Sequence, residues 1–93
     1  MQVTKVIVKP INGESRLKGI LSVTFDDAFV VHEVKVIEGK DGLFVAMPST
    51  KGKTGFHDLA HPINQEMRQQ LDEACLKAYK EALENNTQPE EDN

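Results

Sequence analysis

The sequence predicts an α+β fold: an antiparallel β-sheet of about four strands packed with one C-terminal helix. Three observations carry it. Up to Met47 the chain is a series of short β-branched runs divided by turn residues. From Pro48 to Pro62 it becomes a loop rich in glycine, lysine and histidine. After Asn64 the apolar residues recur at helical spacing without interruption.

Val3 to Lys9 is a short β-branched run closed by Pro10, which suits a strand end because proline cannot donate to a ladder. Asn12-Gly13 is a turn signal, since both residue types tolerate positive φ. Leu17, Gly19, Leu21, Val23 and Phe25 alternate with Lys18, Ser22 and Thr24, the pattern of a half-buried strand. Asp26-Asp27 makes the next turn. The third strand runs from Phe29 to Glu38, with Val30, Val34 and Val36 expected on one face and Val31, Glu33, Lys35 and Ile37 on the other. Gly39 to Gly42 turns the chain again, and Leu43 to Met47 is a fourth strand.

Asn64 is the expected N-cap of the helix, with Glu66 placed favourably at the positive end of its dipole. Met67, Leu71, Ala74, Cys75, Ala78 and Ala82 form its apolar stripe. Asn85-Asn86 ends it. The domain is therefore set at residues 1–84, with 85–93 an acidic tail that has no apolar residue to bury and is expected to be disordered.

With 93 residues there is one domain, small enough that a second copy would usefully complete its core. One helix covers one face of a sheet. The other face, or an open edge, needs a partner or charged protection, and a homodimer is expected. The net charge of −4 argues against a non-specific nucleic-acid coat. Glu90, Glu91 and Asp92 carry three of those charges, however, so the body is close to neutral and a local basic patch is compatible with it. A single cysteine excludes an internal disulfide. The N-terminus lacks the charged and apolar regions of a signal peptide, and no apolar run exceeds five residues. The expectation is a cytoplasmic chain without membrane insertion.

The loop Ser49 to Gly55 combines hydroxyls, Lys51, Lys53 and glycine freedom, and so suits phosphate contacts. It is not a P-loop: the glycine required five residues before Gly52 is Met47. Asp58 and His61 sit three apart, with His57 adjacent, and invite a metal or acid–base reading, but no third ligand stands at a characteristic distance, and hydrogen bonds orienting the loop and helix start explain Asp58 and His61 better. His32 reads as a satisfied sheet histidine, and Cys75 as a small buried thiol on the helix stripe. Lys77 and Lys80 have helical carboxylate neighbours. Arg68 differs, being a cation in the first turn near the basic loop, partly offset by Asp72 at i+4. No catalytic group, metal or cofactor is expected.

Phe29-Val-Val-His-Glu-Val-Lys-Val-Ile37, Gly42-Leu-Phe-Val-Ala-Met-Pro-Ser49 and Asp58-Leu-Ala-His-Pro-Ile-Asn64 resemble the SpoVG family (stage V sporulation protein G), in order, over about residues 1 to 80. The resemblance implies a dimeric, non-enzymatic bacterial regulator of septation, sporulation and gene expression that binds DNA, and RNA as well. It places nucleic-acid contacts on basic residues after Met-Pro-Ser and on the nearby helix, here Lys51 and Arg68. This chain has Thr50-Lys51 where the family usually has two adjacent basic residues, and Lys53 compensates. The alternative from another class is a protein-interaction adaptor that engages division proteins, with incidental nucleic-acid affinity.

Overall fold

The computed structural model describes residues 1–85. Four strands, β1 (Val3–Pro10), β2 (Leu17–Phe25), β3 (Phe29–Gly39) and β4 (Gly42–Ala46), form an antiparallel meander in that order. A separate two-stranded hairpin follows, β5 (Ser49–Gly52) and β6 (Gly55–Asp58), and then α1 (Gln65–Asn85). The expected sheet and helix are both present. Of the expected acidic tail, residues 86–93 lie outside the description.

The turns follow their residue types. Asp26 and Asp27 both take positive φ, 54° and 52°, and the Ala28 amide donates to the Phe25 carbonyl at 2.9 Å. Those features make a type I′ turn, whose twist matches the flanking strands. The Asp26 carboxylate also accepts from the Gln2 amide at 2.8 Å, pinning the N-terminus to this turn.

Sheet register sorts the side chains into two faces. Val8, Leu21 and Val34 are matched across β1, β2 and β3, and Gly19, Val36 and Val45 across β2, β3 and β4. These rows face α1, whose Leu71, Cys75 and Tyr79 complete the buried core. Burial of a valine or leucine side chain contributes about 1.5–3 kcal/mol, and Val23, Phe25 and Met47 add to these rows within the same core. Tyr79, outside the expected helix stripe, is nonetheless buried because Gly19 leaves room for its ring: a Cβ on Gly19 would lie 3.2 Å from Tyr79 Cδ1.

One expected pattern is corrected. The pairing slips between Leu21/Val34 and Val23/Val31, so His32 and Glu33 together oppose Ser22 as a β-bulge. Glu33 takes φ 63° there. An extra residue reverses the alternation beyond it. Val31 therefore joins Val34 and Val36 on the core face, whereas Val30, paired with Thr24, lies on the opposite one.

At the start of α1 the Asn64 side chain accepts from the Met67 amide at 2.7 Å, the expected cap. The Gln70 side chain accepts from the Val3 amide at 2.7 Å and ties the helix to β1. No helix among the described residues is long and apolar enough to cross a membrane.

Candidate nucleic-acid interface

The loop expected after Met47 is itself folded. Ser49 pairs with Asp58, Thr50 with His57, Lys51 with Phe56 and Gly52 with Gly55, leaving Lys53-Thr54 as the turn. Gly55 has φ +121°, a conformation that L side chains rarely adopt. The His57 ring lies over Gly52, where a Cβ would come within 2.9 Å of it, and His57 Nε2 is 3.2 Å from Thr54 Oγ1. His57 is thus spent on holding the turn.

This hairpin projects from the body. None of its Cα atoms lies within 8 Å of a Cα in another strand or in the helix. Its root is held where the Leu59 amide donates to the Pro48 carbonyl at 2.7 Å. Lys51 and Lys53 are exposed near its tip, and neither is ion-paired among the described residues. Apolar groups are exposed alongside: Phe56 is 73 % accessible, Leu59 67 % and Ile63 89 %.

Arg68 sits elsewhere. Its guanidinium donates to the Val45 carbonyl at 3.1 Å and lies 3.5 Å from the Asp72 carboxylate. It therefore clamps the first turns of α1 to edge strand β4, while its side chain stays 41 % accessible. Among the described residues Arg68 is engaged by Val45 and Asp72, and no hydrogen bond or ion pair joins it to Lys51 or Lys53.

The remaining candidates have local roles. His32 Nδ1 is 2.9 Å from Ser22 Oγ, within the bulge. His61 Nδ1 is 2.9 Å from the Pro62 carbonyl. Asp58 is exposed at the end of β6. Among the described residues no three His, Cys, Asp or Glu side chains gather into a metal-binding group. Cys75 is buried, and burial, reinforced by the Asp72 charge, pushes its thiol up to about 12. A thiol so reluctant to ionise is a poor nucleophile.

Two features escaped the sequence reading. The projecting hairpin is built from polar residues without alternating hydrophobicity, and only the symmetric Gly52 and Gly55 around a two-residue turn signalled it. The tie between Arg68 and Val45 spans 23 positions and has no local signature.

A SpoVG family model matches residues 1–81. Among similar proteins, each named "Putative septation protein SpoVG", that of Clostridioides difficile is 57% identical over 84 residues, covering 89% of this chain and 91% of its own. That of Acholeplasma laidlawii is 54% identical over 85 residues, 90% of each chain. That of Caldanaerobacter subterraneus is 53% identical over 91 residues, 97% of this chain and 100% of its own.

Proposed function

The chain belongs to the SpoVG family, and we propose that it is a homodimeric regulator of septation and sporulation that binds nucleic acid through its projecting hairpin. The septation role is what the names of its relatives support. The observation that carries the nucleic-acid reading is the hairpin itself: two lysines, unpaired among the described residues, at the tip of an element that packs on no other described strand or helix. Lysines on an arm that stands clear of the sheet and helix can reach phosphates without steric hindrance, and they release counterions on binding. Dimerisation rests on the same element. A lone two-stranded hairpin is marginal in water, and Phe56, Leu59 and Ile63 offer an apolar surface for a second copy to cover. Two copies would double the lysines facing one ligand.

The adaptor reading draws on the same exposed apolar groups, which would equally seat a division protein, and on the net charge of −4. Lysine footprinting separates the two. The protein is acetylated at amines with and without a random-sequence DNA or RNA pool, and modification is read by mass spectrometry. Lys51 and Lys53 are expected to be protected several-fold by nucleic acid. Equal modification of both with the pool bound would remove the hairpin from the interface, and absence of any binding would leave the adaptor.

A further inference from the structure

Among the described residues, nothing covers the sheet face turned away from α1. Its register is explicit. Lys9, Ile20, Lys35 and Ala46 form one row across all four strands. Leu17, Ile37 and Phe44 form the row on one side of it, Ile7 and Ser22 the row on the other, and Lys5, Thr24 and Val30 the next. None of these apolar residues belongs to the core cluster, and the Phe44 ring is 47 % accessible. The ring lies against Gly39, where a Cβ would come within 3.0 Å of it, so it is held on the backbone of β3 with its outer surface free.

The charge of this face differs from that of the molecule. Its paired rows carry Lys5, Lys9 and Lys35 and no carboxylate, in a chain of net charge −4, and Glu33 stands beside them only at the bulge. None of the three lysines is ion-paired among the described residues. A second copy applied face to face would set lysines against lysines, which disfavours that occupant. A polyanion with flat apolar groups complements both features.

We propose that this open face binds single-stranded nucleic acid, with an unstacked base on Phe44, its neighbours on Ile20 and Ile37, and phosphates at Lys9, Lys35 and Lys5. A four-stranded sheet is wider than the two-stranded ribbon that an undistorted major groove admits, so a duplex would have to be deformed to reach this face, whereas a single strand would not. Splayed bases present the matching π-faces. With strands about 4.8 Å apart, the four-stranded width suits about two or three nucleotides. This deepens the nucleic-acid reading above but rests on different residues from the hairpin.

The test is fluorescence anisotropy with labelled single-stranded 12-mers of mixed sequence, as RNA and as DNA, and with the matching duplex, at several salt concentrations. Phe44→Leu is expected to weaken single-strand binding about 5- to 50-fold without altering the salt slope, and Phe44→Tyr to retain it. Lys9→Ala/Lys35→Ala is expected to reduce the salt slope by about 1.4. Duplex binding is expected to be unchanged in all three, and circular dichroism confirms that each is folded. Single-strand affinity that ignores Phe44→Leu but falls with Lys51→Ala/Lys53→Ala overturns this proposal and leaves the hairpin reading intact. The reverse pattern upholds the face and leaves the hairpin to be judged by duplex binding. Failure of the wild type to bind any single strand overturns this proposal outright, as does conversion of a dimer to monomers by Phe44→Leu, which would assign the face to a second copy. The RNA and DNA arms show which strand is preferred.

Discussion

The Arg68 guanidinium donates to the Val45 carbonyl at 3.1 Å, so a residue in the first turn of α1 also holds the edge strand β4 of the sheet. The Asp72 carboxylate at 3.5 Å steadies it. Both side chains are well over a third accessible, so the ion pair itself contributes little. Most of the effect resides in the charge-assisted bond to a half-buried carbonyl. Arg68→Ala is expected to cost about 1–2 kcal/mol in urea unfolding. Arg68→Lys should recover only part, because a single ammonium lacks the fork that reaches carbonyl and carboxylate together. An unchanged midpoint in Arg68→Ala would show that the clamp does not stabilise the fold.

This contact marks how far sequence reasoning reached. Strand and turn positions were legible because β-branched runs and Asp-Asp, Asn-Gly and Gly-x-x-Gly turns are local signals. Asn64 was legible as a cap for the same reason, and its bond to the Met67 amide is present. The phase of β3 was not, because a bulge depends on what the partner strand does, and Ser22 lies ten residues away. Tyr79 was missed since its burial depends on a glycine in another strand. For the candidate site, loop composition singles out Lys51 and Lys53, and the resemblance points to Lys51 as well. That they ride on a projecting arm was invisible without the fold.

Glu33 sits at φ 63° in the bulge, where a side chain is strained by about 1–2 kcal/mol relative to its usual regions. Glu33→Gly is expected to be as stable as the parent or better, by up to about 1 kcal/mol, relief of strain being partly offset by glycine's entropy. Glu33→Val should lose at least about 1 kcal/mol, since a β-branched residue tolerates that conformation least. A thermal melt in which valine matches glycine would mean the bulge re-registers freely.

Cys75 makes a statement about pH. Its folded thiol titrates near 12 rather than 9.0, so the unfolded chain releases this proton first. The native state then binds more protons, and stability is expected to fall as pH rises from about 9 toward about 12. Cys75→Ala should flatten that decline. In the native protein a disulfide reagent at pH 8 should react far more slowly than in guanidinium; equal rates would place the thiol at the surface.

The exposed apolar groups on and after the hairpin give a test of assembly. Phe56→Ser/Leu59→Ser is expected to shift the protein from dimer to monomer in sedimentation equilibrium, with the helical signal retained because neither side chain belongs to the core. A dimer of unaltered dissociation constant would move the interface elsewhere.

The most direct measurement is the salt dependence of duplex binding for the parent and for Lys51→Ala/Lys53→Ala. Each phosphate contact contributes about 0.9 to the slope of log affinity against log salt. If both lysines of each protomer contact phosphate, the slope should fall by about 1.8 for one engaged protomer, or about 3.6 for a dimer with both arms on one duplex. A parent slope unchanged by the double substitution would contradict the central claim that the hairpin is the nucleic-acid-binding element.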